Sequence, residues 1–194
     1  MKILILQDYL RSGGTERQSV LLANAFAAAG HPTSVVTFRP GGPLDSTLSP
    51  RVTRRTLQPF DTGLDWFAPG LNSVGAQISP DVILCMGRMA NCHGRSLHRN
   101  LPASVVVASM RTGKPLPWLF RHSLAVVPQI VANSHEARAT LIRDYAVPAD
   151  KIAVIHNSLV FPAESSLGRD EALRARHGAS AKTVVLLCVA MFRP

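Results

Sequence analysis

Arg11-Ser12-Gly13-Gly14-Thr15-Glu16 sets adjacent glycines between a short apolar run, Lys2–Leu6, and a segment of helical periodicity. Glycines at such a junction let the backbone pass close to a ligand, and the free amides of a helix start attract anions. A tight turn would use the same residues for geometry alone. A second chemistry lies further along. From Val82 to His135 there is no Asp or Glu, while Arg88, Arg95, Arg99, Arg111, Lys114 and Arg121 all fall in this stretch. Guanidinium groups grip phosphate oxygens in bidentate fashion, so uncompensated arginines suit a diphosphate or a phospholipid. A solvated basic face is the plainer account of any one of them. Pro115-Leu116-Pro117-Trp118-Leu119-Phe120-Arg121 mixes aromatic, aliphatic and cationic groups as an interfacial anchor does. A helix packed on its own sheet explains the same residues and is preferred here.

Other chemistries fail on spacing. No G-x-G-x-x-G follows the first apolar run, and the second ends at Arg39 where a ribose would call for an acid. Gly113-Lys114 runs into Pro115, which is no P-loop. Cys85, Cys92, His93, His98 and His122 lack the close pairs of a zinc site, and Cys85 reads as a small core hydrophobe. Ser109 and Ser134 have no nucleophile-elbow context. Neither a metal nor any other cofactor is expected, and no residue is assigned a catalytic role.

The elements that must position these groups alternate along the chain. Strands are expected at Lys2–Leu6, Ser34–Phe38, Val52–Leu57 (weakly), Asp81–Met86, Ser104–Met110, Gln129–Asn133, Lys151–His156 and Thr183–Val189. Helices are expected from Thr15, with Gln18 completing a capping box, to Gly30, and over Leu64–Ile78, Ala90–Asn100 and Pro117–Val127. Two more span Ser134–Tyr145, capped by Ser134, and Asp170–His177. Strands apolar on both faces, alternating with helices, predict an α/β fold: a Rossmann-like open parallel sheet with helices on both faces. Ligands of such sheets sit outside the carboxyl ends of the strands. That singles out the loops after Leu6, Phe38, Met86, Met110, Asn133 and His156, with Arg88 and Arg111 on that edge. Residues 1–180 read as one domain. Residues 181–194 read as the first strand of a truncated second one, or as a terminal strand of the same sheet.

Composition agrees with a folded, reducing-compartment protein. The chain has 194 residues, 46% of them hydrophobic, enough for a buried core without staples. Three cysteines make an odd count that argues against a disulfide framework. The longest apolar stretch, Val184–Phe192, has nine residues, short of the about 20 a membrane helix needs. The apolar start stops at Gln7-Asp8 with no small-residue cleavage site, so a cytoplasmic location is expected. A net charge of +9 predicts anionic partners: phosphorylated ligands, an acidic membrane surface or nucleic acid.

Taken together, these residues resemble the N-terminal half of a retaining glycosyltransferase of the GT-B fold, in the large group 1 (family 4) class. Gly13-Gly14-Thr15-Glu16-Arg17 is similar to that family's Gly-Gly-small-Glu loop, and Leu22 to His31 to its L-A-x-x-L-x-x-x-G-H helix end. Val131-Ala132-Asn133-Ser134 resembles its V-A-N-S strand end, and Lys151 to Ser158 its K-I-x-V-I-x-N-G strand. The resemblance implies transfer of a sugar from a nucleotide diphosphate donor to an acceptor, with retention and without a metal. It implies an acceptor-side domain here, with Gly13, Gly14, Thr15, Glu16, Arg88, Arg111, Asn133, Ser134 and Asn157 as substrate- and acceptor-binding positions. A second domain would hold the nucleotide. The acceptor expected is a glycan, lipid-linked or belonging to a cell-surface polysaccharide or lipopolysaccharide, with peripheral contact to the inner face of an anionic membrane.

Departures from the family pattern are Ser158 for its Gly, Arg111 where many members have His, and Met191 for an Arg that meets donor phosphates. Arginine does not deprotonate in proteins, so Arg111 offers charge and hydrogen bonds but no acid–base exchange. A sugar-nucleotide epimerase of the same architecture is the second reading. A basic nucleic-acid-binding module is the third, disfavoured because aromatics are only 6% and no binding motif is present.

Overall fold

Among the described residues the strands are β1 (Ile3–Gln7), β2 (Thr33–Thr37), β3 (Thr53–Thr56), β4 (Val82–Cys85), β5 (Val105–Met110), β6 (Gln129–Ala132) and β7 (Ile152–Val154), of which the edge strand β3 alone is polar and exposed along its length. Helices are α1 (Gly14–Ala28), α2 (Leu71–Ile78), α3 (Arg88–Cys92), α4 (Gly94–Asn100), α5 (Trp118–Val126), α6 (His135–Tyr145) and α7 (Glu171–Arg176). The structure, a computed structural model, describes residues 1–111, 113–158, 168–180 and 182–186. The chain divides into two units, Met1–Ser158 and Leu159–Pro194.

In the first unit all strand pairs are parallel, in the order β3-β2-β1-β4-β5-β6-β7. Alternation along β1 sends Ile3 and Ile5 to one face and Leu4 and Leu6 to the other. Ile3 and Ile5 pack with Val20, Ala23 and Ala27 of α1. Leu4 and Leu6 join a larger cluster with Leu97, Phe120, Leu124 and Leu141 from the later helices. Each such fully buried side chain contributes roughly 1.5–3 kcal/mol over exposure. Growth of the sheet reverses direction between β1 and β4, and right-handed crossovers then place α1 opposite the later helices. The predicted Rossmann-like sheet with helices on both faces is the fold observed.

Several boundaries differ from expectation. α1 begins at Gly14, not after a Thr15 cap: Gly13 is the N-cap, in extended conformation, and its carbonyl accepts from the Arg17 amide at 3.0 Å. Gln18 completes no capping box, because its side chain is bonded to the Ser158 backbone. The helix expected over Leu64–Ile78 starts only at Leu71, after Gly70 at φ 69°. The preceding turn is held by buried Gln58, whose amide donates to the carbonyls of Leu64 and Phe67 at 2.9 and 2.6 Å. The helix expected over Ala90–Asn100 is broken at His93, where Gly94 lets the chain pack against Ser123 and Val127.

In the second unit, Asp170 caps α7 by accepting from the Leu173 amide at 2.8 Å. Thr183–Leu186, expected as strand, is coil, and the rest of that expected strand lies outside the described residues. Among the described residues no helix is long and apolar enough to cross a membrane.

Candidate functional site at the carboxyl edge of the sheet

The loop after β1 meets the loop after β4 where the order of strands reverses. Asp8 stands there, and its carboxylate accepts from the backbone amides of Met89 at 2.9 Å and Ala90 at 2.6 Å. Burial pushes the Asp8 carboxyl up to about 6 against these two amides, which pull it down. Gly87 is required beside it. A Cβ there would collide with the side-chain oxygens of Asp8 and Gln7. The chain's own carboxylate thus fills the place where doubly wound sheets offer amides to a phosphate.

Around this point the loops are tied together. Arg39, after β2, pairs with Asp61 through Nε at 2.7 Å and Nη2 at 2.8 Å, and with Asp65 through Nη1 at 2.9 Å. Arg11 reaches the same Asp65 with Nη2, 2.8 and 2.9 Å from its oxygens. Arg11 and Arg39 both lie over the Tyr9 ring, 5.1 and 4.4 Å from its centre. Hydrogen bonds from Arg39 hold Asp61 down at about 2. At Asp65 burial works upward, but the bonds from Arg11 and Arg39 prevail and keep the carboxyl low. This network props the loop carrying exposed Phe60, Trp66 and Phe67.

The sequence-predicted residues occupy the same edge. Gly13 and Gly14 open α1, and Glu16 folds back so that its carboxylate takes the space a Gly13 side chain would need. Thr15 lies inside the first turn, where its carbonyl accepts from Ser19 Oγ at 3.0 Å. Arg88 donates to the Pro115 carbonyl at 2.7 Å, joining the loops after β4 and β5. Arg111 donates to Asn157 Oδ1, while its buried Nε has no partner among the described residues. Burial lowers the Arg111 guanidinium from its ordinary value. Arg111, Lys114, Asn133, Ser134, Glu136 and Tyr145 line a hollow of about 490 Å³. Ser134 also spends its hydroxyl oxygen on capping α6, accepting from the Ala137 amide at 3.0 Å.

Asn157 and Ser158 connect the two parts. One binds Arg111 and the next binds Gln18, a turn into α1 from the glycine loop. Gly13–Glu16 and Arg111 are therefore linked through two consecutive residues after β7. Among the residues this arrangement depends on, Asp8, Arg39 and Gln58 were missed by sequence reasoning. Asp8 left one signal, a carboxylate at the end of an apolar strand, but its partner was not deducible without the strand order. Among the described residues no group of three or more His, Cys, Asp or Glu side chains could hold a metal ion. Cys85 and Cys92 are buried free thiols, pushed up by burial to about 12 and about 11.

Comparison with known proteins places this edge in context. Among curated proteins, none matches the chain significantly. The solved structure of Anabaena Alr3699/HepE in complex with UDP is similar, with a TM-score of 0.64 and 21% identity over 92% of this chain and 50% of that one. A glycosyltransferase from Rickettsia africae matches with a TM-score of 0.65 and 17% identity, over 93% of this chain and 51% of its own. The lipopolysaccharide outer core galactosyltransferase WaaB, apo form, matches at 0.60 and 12%, over 84% and 47%. At these identities the likeness is one of fold, and the chain spans about half the length of these structures. A family model described as Glycosyltransferase Family 4 matches residues 12–159. The chain, with its glycine loop, strands β2–β7 and the Arg111 edge inside that match, belongs to glycosyltransferase family 4.

Proposed function

We propose that this chain is the acceptor-side half of an enzyme moving a hexose-type sugar from a nucleotide diphosphate sugar to a glycan, with retention. The observation that carries the proposal is the family match over residues 12–159. It includes both the Gly13–Glu16 loop and Arg111, joined through Asn157 and Ser158 on one edge. UDP in the HepE structure supports a nucleotide diphosphate as the leaving group. Charge builds on the phosphates as that group departs, and fixed cations and backbone amides stabilise it without a metal. Asp8 already satisfies the amides at the strand reversal, so this half offers its edge to the acceptor while a second domain binds the nucleotide.

Arg111 and Asn133 give hydrogen bonds and charge to acceptor oxygens, and the glycine loop lets the acceptor approach the backbone. The acceptor is lipid-linked or part of a cell-surface polysaccharide or lipopolysaccharide, presented at the cytoplasmic face of an anionic membrane. The test is transfer from UDP- and other nucleotide-activated hexoses, with product configuration read by NMR. The chain joined to a nucleotide-binding second domain transfers with the anomeric configuration kept, and the 194-residue chain alone does not. Efficient transfer by the chain alone, or sugar interconversion with no acceptor present, overturns the proposal.

A further inference from the structure

Helices α4 and α5 face each other across a groove whose two rims differ in chemistry. Arg95 and Arg99, one turn apart, stand on α4, and Trp118 and His122, one turn apart, stand on α5. The groove measures about 410 Å³, and none of its lining residues is acidic. Trp118 is 63% exposed and Leu119 beside it 52%. The ring of Trp118 lies 4.0 Å from that of His122, whose Nδ1 is 2.9 Å from the Trp118 carbonyl, so the aromatic rim is fixed. The ion pairs among the described residues leave Arg95, Arg99 and exposed Arg121 without a carboxylate.

Packing of α5 on its own sheet explains Phe120, Ser123 and Leu124, which are buried. It does not explain Trp118 and Leu119, which point away from that core. A free phosphate would need the cations alone. Unpaired arginines beside an exposed indole and an exposed leucine suit a surface that is anionic outside and apolar just beneath.

We propose that the α4–α5 groove docks the protein on an anionic phospholipid bilayer, with Arg95 and Arg99 on lipid phosphates and Trp118 and Leu119 at headgroup depth. The proposal rests on the membrane-attached reading given above and names its contact surface. The experiment is co-sedimentation of the 194-residue chain with vesicles of phosphatidylcholine, with or without phosphatidylglycerol. The chain binds the phosphatidylglycerol vesicles more tightly, and increasingly so as salt falls. Each arginine near an anionic surface is worth roughly fivefold in affinity, so R95E/R99E loses roughly 25-fold or more. The milder R95Q/R99Q loses less, and Arg51→Glu, on a different loop, binds like the parent. In a Trp66→Phe background, Trp118 emission shifts to the blue on binding.

Equal binding to both vesicle types overturns the proposal, as does undiminished binding by both folded arginine double variants. A single-stranded oligonucleotide that binds more tightly than the vesicles overturns it too. No sugar donor enters this assay. Failed docking therefore leaves the transfer proposal standing, and failed transfer leaves docking standing.

Discussion

At Asp8 two effects oppose each other. Burial disfavours the charged carboxylate, and the Met89 and Ala90 amides favour it; burial wins and lifts the group to about 6. A folded-state value above the ordinary 3.8 means that Asp8 favours folding at low pH. That contribution is complete below the unfolded value and is lost as the pH rises through about 6. Asp8→Asn keeps the shape and removes the titration. Its free energy of unfolding in urea therefore improves relative to the parent between pH 4 and pH 7, by a total of about 3 kcal/mol, and the difference is flat above. Parallel stability curves would contradict the assignment. Gly87→Ala forces a methyl against Gln7 and Asp8 and costs about 1–3 kcal/mol in the same unfolding measurement. Neither residue's role was legible in the sequence, because Asp8 and Gly87 meet only once β1 and β4 are known to be neighbours.

The elements were legible wherever apolar periodicity or a local cap defines them. Ser134 caps α6 as its position suggested, and Asp170, expected as the first residue of a helix, caps α7; each bond spans only three residues. Boundaries set by distant partners were not. The turn before α2 is fixed by Gln58 and by Arg39 reaching Asp61 and Asp65, contacts no local pattern announces. Arg39→Ala frees this loop while leaving the sheet intact. Limited proteolysis should then cut between Asp61 and Gly70 well before the parent is cut there, with far-UV circular dichroism unchanged. Equal protease resistance in both proteins would show that Gln58 suffices.

For the molecule as a whole, buried apolar strands alternating with helices dictated the parallel sheet, and its strand order is the usual outcome of right-handed crossovers. The candidate site was legible in part. The glycine loop and Arg111 were visible as a flexible backbone and an uncompensated cation. Their connection through Asn157 and Ser158 depends on where the chain runs after β7. On the proposed function, this carboxyl edge works on an acceptor during sugar transfer. The test is the rate of transfer from a nucleotide diphosphate hexose by the chain joined to a nucleotide-binding second domain, comparing Arg111→Ala with Arg51→Ala. Losing a charged hydrogen-bonding group at the reacting edge should lower kcat/KM by roughly tenfold or more, with Arg51→Ala within about twofold of the parent. Equal activity in the two variants would contradict the claim.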